Sequence, residues 1–193
     1  MIIIASITKE TLDEILTSNN ASELILDKYD EIIEVIPEIK EMKDFDQNNR
    51  YHIYDVLNHT LEVVRNTDND LELRLSALFH DIGKPPTYTV DSKGNGHFYG
   101  HGEVSVELTR HILERLDYDR SIINNVLDLI KFHDYPLSIE DKPLKKFLKR
   151  FDNKLLPKLF NLKRADVLGQ NPEYRSRLEF INKVEEKIKK TSV

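Results

Sequence analysis

The chain of 193 residues contains no cysteine, which excludes disulfides, thiolate metal sites and a cysteine nucleophile. Oxygen and imidazole remain as ligands. No stretch approaches the roughly 18 apolar residues of a membrane span. The opening "MIIIAS" lacks the basic flank, full apolar segment and cleavage site of a leader peptide, so a soluble, cytoplasmic chain is expected. Basic residues are also in deficit. With 28 Lys and Arg against 34 Asp and Glu, the net charge of −6 argues against an unspecific grip on a phosphate backbone as the main activity, and any nucleic-acid contact has to be local. No internal repeat, low-complexity tract or linker rich in Gly, Ser or Pro interrupts the sequence. A single domain over 1–193 is expected, long enough to bury a core, with residues 1–50 as a helical N-terminal appendage packed on it.

What the sequence has in abundance is helical spacing. Apolar periodicity predicts helices near 8–17, 22–36, 52–66, 70–80, 101–116, 120–133, 142–150, 153–169 and 172–189. The joints carry matching punctuation: "TDND" before Leu71, Gly83 with Pro85 and Pro86 after His80, and Asn171-Pro172 as cap and first helical residue. Strand alternation occurs once, in "TYTVDSKGNGHFYG", where two β-favouring runs flank Asp91–Gly96. That stretch predicts a small β-hairpin near 87–99, marginal alone and leaning on the helices. The fold class is all-α, a helical bundle with one hairpin insertion.

Four of the seven histidines fall on or beside the apolar stripe of their own helix, which faces the core. His59 lies between Val56 and Val63; His80 continues Leu73 and Ala77; His133 continues Ile122, Val126 and Leu129; His101 opens the helix of Val104, Leu108 and Ile112. Any one of them is explained by the tolerance of interiors for neutral imidazole. The acids shift the balance. Asp166 continues the stripe Leu155, Leu159, Leu162, and Asp81 follows an inward His80; buried carboxylates are almost never left unpaired. Lys163 or Arg164 could pair with Asp166, although both leave the helix at other angles. A divalent metal satisfies imidazoles and acids together: Mn, Fe, Co, Ni or Zn suits this mixture, and Mg one dominated by carboxylates and water. His97 and His111 read as solvated, whereas His52, one helical stripe from His59, is expected to line the same cavity.

His59, the doublet His80-Asp81 and the distant Asp166 together resemble the HD-domain superfamily of metal-dependent phosphohydrolases. The surrounding text, "IIEVIPEIKEMKDFDQNNRYHIYDVLNHTLEVV", "HDIGKPPTYTVDSKGNGHFYGHGEVSVELT" and "RADVLGQNP", is similar to the HD region attached to bacterial CCA-adding tRNA nucleotidyltransferases, from about residue 28 to 185. The polymerase head of those enzymes has no counterpart in the first fifty residues, so nucleotide addition is not expected. The Glu-Asp pair of alarmone hydrolases is replaced by Ile82-Gly83-Lys84, and the extra signature of cyclic-dinucleotide phosphodiesterases is missing.

The resemblance implies a metal held between helices by His59, His80, Asp81 and Asp166. His101 and His133 occupy the place of second-ion ligands, with Asp81 bridging; one ion, with these two merely lining the pocket, is the alternative. The expected function is hydrolysis of a nucleotide or another small phosphate ester by metal-activated water, as a phosphomonoesterase or phosphodiesterase. Asp81 would hold the ions and orient the water. Lys84 would contact the phosphate or leaving group, and Arg164 is a second substrate contact of that kind. Residues 142–154, from "DKPLKKFLKRFDNK", could form a basic rim for nucleotide or RNA, or a solvated helical face. Two other readings stand beside hydrolysis: a non-catalytic, metal-stabilised nucleotide- or RNA-binding module, and a di-iron oxygenase. Oligomeric state is left open.

Overall fold

A computed structural model describes residues 7–191, and the apolar opening run falls outside them. The first helices are α1 (Lys9–Leu16), α2 (Ala21–Asp27) and α3 (Tyr29–Val35), followed by a 3₁₀ turn over Pro37–Met42. Then come α4 (Val56–Asn66), α5 (Leu71–Phe79) and the single turn α6 (Lys84–Thr87). Strands β1 (Thr89–Val90) and β2 (Gly96–His97) lead to α7 (His101–Arg115), α8 (Arg120–His133), α9 (Asp141–Leu148), α10 (Leu155–Gly169) and α11 (Ser176–Thr191). The fold is an all-α bundle with one small antiparallel pair, Thr89 opposite His97 and Val90 opposite Gly96, as the sequence predicts. Among the described residues no helix is long and apolar enough to cross a membrane.

Two helices form the axis of the bundle. Every residue of α5 from Leu73 to Phe79 is buried, as expected of a helix without a polar face, so whatever follows its C-terminus emerges inside the molecule. α10 buries Leu155, Leu159, Phe160, Leu162, Ala165 and Val167 and lies against α4, while α7 and α8 pack on each other and α8 on α5. Leu12, Leu16, Ile25, Ile32, Ile39 and Met42 belong to the same buried cluster.

Three boundaries differ from the periodicity reading. The helix expected over 22–36 kinks at Lys28 (φ −101°, ψ 21°), yet Lys28 N–H still donates to Leu24 O and Ile32 N–H to Lys28 O. The kink escapes the sequence pattern because Ile25, Ile32 and Ile36 stay buried across it. The helix expected from 52 starts at Val56, since the Asp55 carboxylate accepts the Asn58 N–H at 2.6 Å and caps it. His52 therefore comes from a loop, not from the stripe of α4. At the other end Asn171 caps as expected, accepting the Glu173 N–H, but Pro172–Tyr174 is a 3₁₀ turn and α11 begins at Ser176.

Candidate metal centre

Each inward histidine is held by its own backbone surroundings. His80 terminates α5 and its Nδ1 lies 2.8 Å from Ala77 O. His133, the last residue of α8, and His101, the first of α7, make the same contact to the carbonyl three residues back, at 2.6 Å to Ile130 O and 2.9 Å to Phe98 O. His59, in the first turns of α4, reaches Gly169 O at 3.0 Å. A carbonyl only accepts, so Nδ1 carries the hydrogen in all four rings, and a neutral ring then presents Nε2 as a lone pair.

Those four Nε2 atoms converge on Asp81. Its Oδ2 lies 3.3 Å from His59 Nε2 and 3.2 Å from His80 Nε2. Its Oδ1 lies 3.6 Å from His101 Nε2 and 3.9 Å from His133 Nε2. Asp166 Oδ1 joins the first group, 3.2 Å from His59 Nε2, and the two imidazole nitrogens of His59 and His80 stand 3.3 Å apart. Two triads thus share one carboxylate: His59, His80 and Asp81, and Asp81, His101 and His133, the donor atoms within each lying inside 4.8 Å of one another.

Neutral imidazole nitrogens facing carboxylate oxygens leave acceptors opposite acceptors, an arrangement that only a positive charge relieves. Asp81 Oδ2 is buried and receives no hydrogen bond of acceptable direction, although Lys84 Nζ stands 2.6 Å away as an ion pair. Ligand atoms on one ion at metal–ligand distances of about 2.1 Å are themselves about 3.0–3.4 Å apart, which the inner triad matches. The residues fit a divalent metal.

The electrostatics carry the same demand. Burial alone would push the His59 pKa down, but the carboxylates of Asp166 and Asp81 outweigh it and lift it to about 9. Burial would raise Asp81, yet its close neighbours, His80 and the Lys84 ammonium, hold it well below the usual carboxylate range. Asp166 is likewise held down, against its burial, by His59. His133 is pushed down to about 4 by burial and then by His80, and His52 to about 3 by burial and then by Lys84.

The other expected residues are distributed unevenly. Lys84 is buried rather than displayed: besides Asp81, its Nζ donates to Gln47 Oε1 at 2.7 Å and lies 5.4 Å above the Phe98 ring. Gly83 makes room for this turn, because a β-carbon there would come within 2.5 Å of His101 O, and its N–H donates to Ser105 Oγ. His52 reaches the site from its loop, ring edge toward His59 at 4.9 Å between centroids. That loop is pinned by Asn171, whose backbone N–H donates to Tyr51 O at 2.8 Å and whose side-chain amide donates to Arg50 O at 3.1 Å. Arg164 departs from expectation. It pairs with Glu185 Oε2 of α11 at 2.7 Å and does not line the cavity. Nor does Lys163 pair with Asp166; its ammonium donates to His133 O and Tyr135 O at the end of α8. His111 is exposed, but His97 lines the cavity, bonded to Asp91 and stacked on Tyr99.

Sequence reasoning missed the supports. Gln170 donates to Asp166 Oδ1 at 3.1 Å and accepts from Arg177 at 2.9 Å. Gln47 steadies Lys84 from a segment with no periodic pattern. Gly169 admits α4, since a β-carbon would stand 3.1 Å from His59 Nδ1 and Val63 Cγ2. Above the carboxylates opens a cavity of about 900 Å³, with Arg50, Lys131 and Arg177 among its cations and Tyr51, Phe98 and Tyr99 among its rings.

The family model of the HD domain matches residues 50–168. The A-adding tRNA nucleotidyltransferase of Deinococcus radiodurans is 36% identical over 137 residues, 68% of this chain and 31% of that protein. The CC-adding tRNA nucleotidyltransferase of Thermus thermophilus is 34% identical over 160 residues, 80% of this chain and 36% of that protein. A multifunctional CCA protein of Nitrosococcus oceani is 32% identical over 104 residues, 52% and 25% of the two chains. The match therefore spans only a quarter to about a third of these relatives.

Proposed function

Because the chain belongs to the HD-domain family, whose members form a class of metal-dependent phosphohydrolases, we propose that it hydrolyses a phosphate ester of a nucleotide or a similar small molecule at the shared-carboxylate site. The observation that carries this reading is the meeting of four Nε2 lone pairs with two carboxylates on the wall of an open cavity. A site built for structure alone would have its ligands closed off by the chain; here Asp81, His101, His133 and Asp166 all line the cavity.

When bound, one or two divalent ions supply a water of lowered pKa and positive charge against the phosphoryl oxygens. The chain's own residues do the rest. Asp81, with one oxygen toward each triad, would serve both ligand sets and would orient the attacking water; His59, His80 and Asp166 would complete the inner set, and His101 and His133 the outer one. Lys84 holds the Asp81 carboxylate ionised and lines the cavity beside it, where it can also meet a phosphoryl oxygen. Arg50, Lys131 and Arg177 offer cationic contacts for a phosphate, and Tyr99, 76% exposed and stacked on His97, offers a face for a base. The relatives' names include tRNA, which supports a nucleotide or RNA end as substrate.

The test is a panel of phosphomonoesters, phosphodiesters, and 2′,3′-cyclic and 2′-nucleotides, assayed with Mn, Co, Ni, Fe, Zn and Mg in turn. We expect at least one ester to be hydrolysed in a metal-dependent manner. No turnover on any of them, together with a melting curve unchanged by chelation, would overturn the proposal.

A further inference from the structure

The metal site leaves one charged surface unused. Lys142, Lys145, Lys146 and Lys149 of α9 and its cap border a depression of about 730 Å³, completed by Tyr135, Pro143 and Asp141. Among the described residues none of the four ammonium groups makes an ion pair or hydrogen bond. Two acids nearby have partners of their own: Asp141 pairs with Lys187 at 2.5 Å, and Asp152 accepts the N–H groups of Lys154 and Leu155. Asp141 shares its charge with Lys145 as well, but one carboxylate among four ammonium groups leaves the lining of this depression positive on a chain whose net charge is −6. Favourable placement at a helix C-terminus would account for Lys145 and Lys146, but Lys142 lies in the first turn, where the helix dipole opposes a cation. From Lys142 to Lys149 the row runs about 10 Å along the axis, longer than one phosphate group and suited to successive phosphates of a strand.

The depression also leads somewhere. Tyr135 lines it and the 900 Å³ metal cavity alike, and its ring stacks on Phe147 of α9 at 5.6 Å. Beside it, Lys131 at the cavity and Arg150 beyond α9 both face the Phe132 ring, at 5.7 and 5.6 Å. Phe132 and Phe147 are buried beneath Tyr135, which is the exposed ring at the junction; a row of cations leading to an exposed ring is one means by which proteins hold unpaired strands, phosphates on the charges and a base on the ring.

We propose that the lysine face of α9 binds the phosphate backbone of a single-stranded nucleic acid whose terminus crosses Tyr135 into the metal cavity. The substrate would then be the end of a strand rather than a free nucleotide; this rests on the hydrolase reading above. A cavity of the size that takes small ligands admits an unpaired end and not a duplex.

The test uses the whole chain, a short fluorescently labelled single-stranded RNA, its blunt duplex, and a variant with Lys142, Lys145, Lys146 and Lys149 all changed to Gln. Anisotropy over a salt series should give single-strand binding whose log–log salt slope falls by about 0.7 for each lysine removed. The variant should hydrolyse a small phosphomonoester at the wild-type rate while losing its preference for a strand end. An unchanged affinity and slope in the variant, or equal lysine-dependent binding of the blunt duplex, would overturn the proposal. The two readings fail separately: lysine-dependent binding without hydrolysis of any ester sinks the hydrolase, whereas ester hydrolysis without lysine-dependent binding sinks the docking surface.

Discussion

The two triads that share Asp81 are built differently. The inner one draws His59 and Asp166 from within α4 and α10, two helices pressed together at Gly169, and His80 from the fully buried end of α5; its contacts to Asp81 and Asp166 are 3.2–3.3 Å. The outer one takes His101 and His133 from helix ends, and its contacts to Asp81 are 3.6 and 3.9 Å, with His101 only partly buried. Residues enclosed by the core are fixed by it, whereas residues at the rim depend on the caps and loops around them. His59 and His80 are fully buried and outside the cavity lining, while His101 and His133 line it.

This contrast can be broken by substitution. On the proposed two-ion reading, the largest effect is expected from His59→Ala, which should abolish metal binding by the inner set and all turnover, while His101→Ala should lose only the ion proposed for the outer set. Titrating each variant with Mn or Co and counting ions per chain checks this. Equal losses in the two variants would erase the distinction.

Next comes Gln170→Ala, which leaves every proposed ligand in place but frees Asp166 from its amide donor. Outer partners of metal ligands typically contribute 10–100-fold in affinity, so inner-ion affinity should fall by about that range while outer-ion affinity changes little. Isothermal titration separates the two.

The smallest step, about tenfold for each pH unit, is the effect of pH. His59 is lifted to about 9 from 6.5, so in the metal-free protein its stabilising contribution is full below about 6.5 and is lost as pH rises through about 9. His52 and His133, pushed down to about 3 and 4, work in the opposite sense: their contribution is present above about 6.5 and lost as pH falls. A metal must displace the His59 proton, so inner-ion affinity should rise about tenfold per pH unit toward 9. Competition with a chelator of known pH dependence, from about pH 6 to pH 8, should show that slope; a flat profile would mean that His59 releases no proton.

How much of this the sequence discloses follows from which contacts are local. The stripes of α4, α8 and α10 already turn His59, His133 and Asp166 inward, because helical periodicity fixes direction. The hairpin is legible from its turn residues. The supports are not: Gln47 and Gln170 matter through partners reached across the fold, Gln47 from a loop without periodicity. Arg164 shows the converse: expected beside Lys84 as a second contact for substrate, it pairs with Glu185 of α11, a partner reached only across the fold. Lys84 lies between the two cases, beside the doublet as its place in the sequence implies but buried against Asp81 and Gln47, a contact the sequence does not disclose.

The shared carboxylate is the claim on which the rest depends, and the metal content of Asp81→Ala tests it most directly. Loaded with Mn or Co, desalted and analysed by inductively coupled plasma mass spectrometry beside the wild type, the variant should keep its helical circular dichroism and retain almost no metal at either position. A variant that folds and carries the wild-type number of ions per chain would contradict the account.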